Sequence, residues 1–239
     1  MTKTTDKEFS SSALFDQGLN LHAVFNLCDL PTELLANLSM HYADLTSYRQ
    51  LILIANGGRS FWTALKASGL QSSEPVDDFT QALVQSHFTS RYPQVDYQIL
   101  YPGVQTVDLQ QLGELVGWHH QSPFRVGVNK AWGSWFAYRA VILADTEFTV
   151  TPFVSATVEN ESPCVSCAGQ VCINHCPVKA LSKGELNLER CLNYRQQVTS
   201  KCRTTCIARV ACPVATDQRY SQEQIQYHYV RSLEMIKRG

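Results

Sequence analysis

Eight of the nine cysteines in this 239-residue chain lie in one segment towards its C-terminal end. They are Cys164, Cys167, Cys172, Cys176, Cys191, Cys202, Cys206 and Cys212. Clustered cysteines in a chain without an export signal more often bind metal than form disulfides. The chemistry these residues could support is therefore the ligation of iron–sulfur clusters or of zinc.

The spacing of the cysteines favours iron–sulfur clusters. From Cys164 to Pro177 the pattern is C-x2-C-x4-C-x3-C-P, which keeps both ends of the bacterial ferredoxin run C-x2-C-x2-C-x3-C-P. The second group, from Cys202 to Pro213, reads C-x3-C-x5-C-P and is preceded by Cys191. Zinc sites usually show two separate C-x2-C knuckles, and this segment has one. The sequence thus predicts two [4Fe–4S] clusters, with two four-cysteine zinc sites, a single cluster or thiol chemistry as the alternatives.

Composition narrows the class of protein. The chain is 44% hydrophobic and 17% charged, which is typical of a globular protein and excludes disorder over the whole length. Its net charge of -1 excludes a polycation built to bind nucleic acid. No apolar run is long enough to predict a membrane span, and the polar start predicts no secretory signal. We therefore expect a cytoplasmic protein.

The elements that must position the cysteines are predicted by apolar periodicity, which indicates an α+β or α/β domain over the first 150 residues. Strands are predicted at residues 21–27, 49–55, 95–101, 125–128 and 135–144. Helices are predicted at residues 9–18, 31–38, 59–68, 77–91, 108–116 and 221–238. A polar linker before the cysteines divides the chain into domains at 1–160 and 161–220, with a C-terminal helix at 221–239. Cys28 falls in a strand pattern and is predicted to be a small buried hydrophobe.

Four residues are candidates for binding a cofactor: Trp118, Trp135, Tyr138 and Arg139. The aromatic residues could line the face of a corrin or a flavin, and the alternative is an aromatic core between sheet and helices. Arg139 stands in an apolar strand and must be paired. Its partner is either an anionic or amide group of a ligand or a carboxylate such as Asp145 or Glu114.

The histidines carry weaker signals. The neighbouring residues His119 and His120 could supply a cobalt or substrate ligand, although a solvated polar loop is the expectation. His175 lies inside the first cysteine pattern and is expected to tune a cluster by hydrogen bonding, since the cysteines already suffice as ligands.

The cysteine segment is rich in cations. Between residues 164 and 220 the acids are Glu185, Glu189 and Asp217, and the cations are Lys179, Lys183, Arg190, Arg195, Lys201, Arg203, Arg209 and Arg219. We interpret this excess as compensation for the negative charge of cluster thiolates. The alternative is a docking surface for an acidic flavodoxin, a ferredoxin or RNA.

From about residue 107 onward the chain resembles epoxyqueuosine reductase, a cobalamin- and iron–sulfur-dependent family of tRNA-modification enzymes. The resemblance rests on residues 112–118 (LGELVGW), 126–130 (VGVNK), 133–145 (GSWFAYRAVILAD), the cysteine order and residues 190–194 (RCLNY). The GSWFAYR stretch is also similar to the cobalamin-processing chaperones. With the reductive dehalogenases, these proteins imply a nitroreductase-like α+β sheet followed by a ferredoxin-like two-cluster module.

The resemblance also implies a ligand assignment and a cofactor. It places Cys164, Cys167, Cys172 and Cys212 on one cluster. It places Cys176, Cys191, Cys202 and Cys206 on the other. Cobalamin is the cofactor it implies for the N-terminal domain.

The chain departs from the family in two respects. The carboxylate nearest to the family's catalytic aspartate is Asp108, which lies too close to the following helix to align. The resemblance implies a short paralogue without the family's C-terminal helical-repeat domain, so tRNA is not the favoured partner.

Two main hypotheses about function follow, and they differ in whether the chain is an enzyme. The first is a redox enzyme that receives electrons from a flavodoxin or ferredoxin and passes them to cobalamin or to a substrate. The second is a non-catalytic electron-transfer or cofactor-trafficking protein. A zinc-stabilised interaction protein is a third hypothesis.

Overall fold

The computed structural model describes residues 7–42, 44–104, 106–154, 160–182 and 185–238. Its internal contacts divide the chain into two compact units. The first unit is Met1–Val116 with Ala137–Val154, and the second is Gly117–Phe136 with Ser155–Gly239. The domain boundaries expected at residues 160 and 220 stay predictions.

A four-stranded sheet forms the centre of the first unit. Its strands are β1 (Leu21–Asn26), β2 (Gln50–Gly57), β3 (Tyr97–Tyr101) and β4 (Phe136–Ala144), in the order β1-β2-β4-β3. β1 pairs antiparallel with β2, and β3 pairs antiparallel with β4. Every residue of β2 is buried, because this apolar strand lies inside the sheet and has neighbours on both edges. The α+β class predicted from the sequence is confirmed at this level.

Helices cover both faces of the sheet. Those of the first unit are α1 (Ser12–Asp16), α2 (Thr32–His41), α3 (Ser60–Ser68), α4 (Pro75–Arg91) and α5 (Leu109–Leu115). Neighbouring residues of a strand point to opposite faces of the sheet. Tyr138 and Arg139 are neighbours in β4, and each contacts a helix on its own face. The Arg139 guanidinium lies 4.9 Å from the ring centre of Phe61 in α3. The Tyr138 hydroxyl packs so closely on Gly113 of α5 that a Cβ there would overlap it.

The second unit contains short elements separated by loops and one long C-terminal helix. They are α6 (Val171–Asn174), β5 (Leu181–Ser182), β6 (Glu185–Leu186), α7 (Leu188–Gln196), α8 (Ile207–Val210) and α9 (Gln222–Arg238). β5 and β6 form a small antiparallel pair. One apolar cluster of this unit is centred on Cys172, Leu181 and Ala208, and another on Trp135, Tyr220 and Ile225.

Two sequence expectations are wrong. Residues 125–128 do not form a strand: isolated bridges join His120 to Val128 and Asn129 to Gly133. Arg125 adopts a left-handed φ of 59°, which interrupts any extended run. Cys28 is exposed rather than buried, because β1 ends at Asn26 and the chain enters a 3-10 turn at Leu27–Asp29.

Among the described residues, no helix is long and apolar enough to cross a bilayer.

Candidate functional site

All eight clustered cysteines belong to the second unit, and each has a free thiol. Cys172 lies in α6 and Cys191 in α7. Cys206 caps the N-terminus of α8, where its sulfur accepts a hydrogen bond from the Arg209 main-chain N–H at 3.5 Å. The remaining five lie in the loops beside these short helices.

The eight thiols form two sets of four, because each thiol with a shifted pKa is influenced by thiols of its own set. Burial raises the pKa of Cys164, Cys172 and Cys212, and each pKa is raised further by other members of the first cysteine set. That set is Cys164, Cys167, Cys172 and Cys212. Burial likewise raises the pKa of Cys191 and Cys202, which other members of the second cysteine set raise further. That set is Cys176, Cys191, Cys202 and Cys206.

The second cysteine set lines a cavity of about 340 Å³. All four of its members contribute to the wall, and much of the remaining wall is apolar, including Phe124, Leu181 and Ala208. The cavity therefore brings four thiols to one wall that is otherwise largely apolar.

Main-chain N–H groups point at several of the sulfurs. The Ala180 N–H donates to Cys176 Sγ at 3.3 Å. Hydrogen bonds from the main chain at Ile173, Ile207 and Val214 lower the pKa of Cys172, Cys202 and Cys212, respectively, against the larger effect of burial. Such donors stabilise negative charge on sulfur, which suits a bound thiolate.

Arginines supply positive charge to both sets. Burial raises the pKa of Cys191, Cys202 and Cys212, and a nearby positive charge offsets part of that rise. The charge comes from Arg195 at Cys191 and Cys202, and from Arg209 and Arg219 at Cys212. The sequence identified these side chains only as part of a cationic excess. Their individual positions follow from tertiary packing, and no spacing rule for cysteines would have found them.

Within the described residues, no three His, Cys, Asp or Glu side chains are grouped so that they could hold a single metal ion.

The four candidate cofactor-binding residues are divided between the two units, with Trp118 and Trp135 in the second and Tyr138 and Arg139 in the first. Trp135 is fully buried in the apolar cluster of the second unit, where its ring centre lies 5.5 Å from that of Tyr220. Tyr138 and Arg139 lie on opposite faces of β4 in the first unit. The main-chain carbonyl of Trp118 accepts a hydrogen bond from the Asn129 amide at 2.9 Å.

Arg139 has neither of the carboxylate partners considered from the sequence. Its Nε donates to Asn56 Oδ1 at 2.6 Å, and Asp145 instead accepts a hydrogen bond from Arg49 at 2.7 Å. Arg139 is only 8% exposed, so the sheet encloses this cation.

The histidines also differ in part from expectation. His119 is buried, with its ring packed against Gly127, rather than solvated. The His120 N–H donates to the Val128 carbonyl at 3.1 Å. His175 is exposed, and its Nδ1 lies 2.8 Å from the Val171 carbonyl oxygen.

Comparisons with known proteins locate the fold among redox enzymes. No protein-family model matches the chain, and no curated protein matches its sequence. Epoxyqueuosine reductase from Bacillus subtilis superposes with a TM-score of 0.53 and 12% identity, over 89% of this chain and 66% of that one. The chain shares the fold of these redox enzymes.

Further structures agree. Epoxyqueuosine reductase with an epoxyqueuosine-modified tRNA-Tyr stem loop gives a TM-score of 0.54 and 14% identity, over 90% of this chain and 66% of that one. A catabolic reductive dehalogenase in complex with 3-bromo-4-hydroxybenzoic acid gives 0.50 and 11%, over 92% and 33%. The chain thus spans about two thirds of the length of the epoxyqueuosine reductases and one third of that of the dehalogenase. The resemblance stated from the sequence is confirmed at the level of the fold.

Proposed function

We propose that the chain is an iron–sulfur redox protein in which the first and second cysteine sets each hold one [4Fe–4S] cluster. The two clusters would pass single electrons to a cofactor or substrate bound by the first unit. The observation that carries this proposal is the sorting of eight thiols into two groups of four, one of which lines a single cavity. The fold shared with redox enzymes supports it.

The donor groups fit clusters of this kind. Each would be held by four sulfur atoms, with main-chain N–H groups and arginines nearby to offset the negative charge. When bound, the clusters supply one-electron redox chemistry. The chain's own part is to deprotonate its thiols on binding, to exclude water with apolar walls and to hold the ligand loops in place.

Cobalamin is the acceptor that the family resemblance implies. The four candidate residues do not fit it as one binding face, because Trp135 is fully enclosed and Tyr138 and Arg139 point to opposite sides of β4. We therefore derive no step through cobalamin. A spectral titration of the anaerobic chain with cobalamin tests this acceptor separately.

One observation favours the second candidate function, a non-catalytic electron carrier. Asp108 caps α5, and its Oδ1 accepts a hydrogen bond from the Gln111 main-chain N–H at 2.9 Å. This carboxylate, which lies nearest to the family's catalytic position, is thus engaged in holding a helix. An enzyme would turn over a substrate with electrons from a reduced flavodoxin or ferredoxin, whereas a carrier would only relay them to an acceptor protein.

The deciding experiment is the metal and acid-labile sulfide content of anaerobically purified chain. We expect about eight iron and eight sulfide per chain, with broad absorbance near 400 nm. About two zinc and no sulfide would overturn the proposal and leave a zinc-stabilised interaction protein. About four iron would leave only one cysteine set as a cluster site.

The proposed redox partner is tested by anaerobic mixing with reduced flavodoxin or ferredoxin. Bleaching of the cluster absorbance is expected. Binding of an RNA stem loop, measured alongside, would instead favour the nucleic-acid partner.

A further inference from the structure

Arg195 is a buried cation beside the second cysteine set. It follows Cys191 by four residues in α7, and this spacing puts both side chains on the same face of the helix. Arg195 is 8% exposed and lines the same cavity as Cys176, Cys191, Cys202 and Cys206. Its position is therefore set by the same helix that carries one of the four thiols.

Three hydrogen bonds fix the Arg195 guanidinium. Nε donates to the Cys202 carbonyl at 3.3 Å, Nη1 to Ser232 Oγ at 3.2 Å and Nη2 to the Tyr229 carbonyl at 3.0 Å. The guanidinium carbon also lies 5.1 Å from the centre of the Tyr229 ring. These contacts join α7 to α9 and to the loop at Cys202, so the positive charge is held in one place.

The acceptors that hold Arg195 are all neutral. In the part of the chain that the structure describes, no carboxylate lies within ion-pair distance of its guanidinium. A buried arginine without a counter-charge is strongly unfavourable. The cavity wall holds four thiols and the hydroxyls of Tyr194 and Tyr229, and the thiols are the groups that become negative when they bind metal.

We infer that Arg195 is the built-in counter-ion of the second cluster, a positioning residue whose charge favours the reduced form of that cluster. The inference rests on the proposed function. Reduction adds one negative charge to the cluster, and a fixed cation at the cavity wall stabilises the more negative state. Arg209 also lines this cavity, but its guanidinium donates to the side chain and carbonyl of Ser134, and it acts together with Arg219 on Cys212 of the first cysteine set. Arg195 is not among the cations that act on Cys212, so we expect its effect on the second cluster.

The test is a redox titration of the anaerobic holoprotein followed by electron paramagnetic resonance. Four chains are compared: wild type, R195Q, R195K and R203Q. Arg203 is the matched control, because it follows Cys202 directly while its Nη1 donates to the carbonyls of Gln196 and Gln197, both at 3.2 Å.

R195Q removes the charge and is expected to make one of the two clusters about three- to tenfold harder to reduce. A tenfold change corresponds to about 59 mV for a one-electron couple. The other cluster should stay unchanged. R195K keeps the charge but not the planar three-way hydrogen bonding, and it should remain close to wild type, as should R203Q.

Three results would overturn the inference: no shift in R195Q, equal shifts in R195Q and R195K, or an equal shift in R203Q. Should R195Q fail to retain its second cluster, the iron content of R195K decides. If R195K retains the iron of the second cluster, the counter-ion role is supported. If both variants lose that iron, the hydrogen-bonding geometry of Arg195 rather than its charge holds the site, and the inference is overturned. A wild-type chain without clusters would instead overturn the proposed function itself.

Discussion

Gly133 lies so close to the main chain of Val214 that a Cβ atom on it would overlap the Val214 carbonyl oxygen. Gly133 also has a φ of 56°, in the left-handed region that favours glycine. Val214 follows Cys212 by two residues, so this close approach fixes the loop that carries the last thiol of the first cysteine set. The segment before β4 thereby helps to position a candidate cluster ligand.

Replacing Gly133 with alanine should displace that loop and weaken the first cluster site. We expect G133A to lose about half of the bound iron. Gly69 is the matched control, because its φ is 67° but nothing lies within 4 Å of an added Cβ. G69A should cost about 1–2 kcal/mol of left-handed backbone strain and retain its iron. Iron content at equal folded fraction is the measurement, and full iron in G133A would contradict the prediction.

Gln50 is a buried amide whose hydrogen-bonding groups are satisfied. Its Nε2 donates to Asn26 Oδ1 at 3.0 Å and to the Phe148 carbonyl at 2.8 Å. Its Oε1 accepts from Thr146 Oγ1 and from the Phe148 N–H, both at 2.8 Å. Gln50→Leu would leave the buried groups of Thr146 and Phe148 unsatisfied and should lower the free energy of unfolding by about 2–4 kcal/mol.

The control for Gln50 is Gln98→Leu, the same substitution at an exposed position of β3. It should change the free energy of unfolding by less than about 0.5 kcal/mol. Chemical denaturation followed by circular dichroism measures both variants. Equal effects of the two substitutions would mean that the Gln50 hydrogen bonds do not stabilise the sheet.

His22 makes the first unit sensitive to acid. Burial and then the neighbouring His87 lower the pKa of His22 to about 4. As the pH falls from about 6.5 towards 4, the unfolded chain takes up a proton that folded His22 does not bind. The free energy of unfolding should therefore fall across this range, by up to about 3 kcal/mol.

The variant His22→Gln should flatten this pH dependence. Part of it should persist, because burial, and secondarily Arg91, also lower the pKa of His87. His41→Gln, in the last turn of α2, serves as the control and should keep the wild-type slope. The slope of unfolding free energy against pH between about 4 and 6.5 is the quantity to compare.

Cysteine substitutions separate ligands from the remaining thiol. Cys191→Ser removes one of the four thiols that line the second-set cavity. This variant should lose about four of its eight iron atoms. Cys28→Ser alters an exposed thiol of the first unit and should leave iron and sulfide unchanged. Iron loss in the Cys28 variant, or none in the Cys191 variant, would contradict the ligand assignment.

The sequence by itself determined the elements with strong periodicity, and it predicts a metal-binding role for the cysteines. The apolar run that forms β2 was predicted to within two residues at each end. A strand buried on both faces requires a continuous run of apolar residues, and such a run is easy to identify in the sequence. The helix α4 and the C-terminal helix α9 followed equally well from their periodicity. Thiol spacing predicts metal ligation because a short loop with several closely spaced cysteines can supply most of the ligands of one centre.

Tertiary structure decided which groups meet. That Arg139 bonds to Asn56, that Trp135 is core and that Arg195 lies against Cys202 all depend on packing between segments far apart in sequence. Cys28 was misjudged because the end of a strand is set by local side-chain bonds, such as that of Asn26 to Asp29, and not by apolar alternation. Local patterns specify elements and ligand types, whereas the partner of a buried charge is chosen only when distant segments pack together.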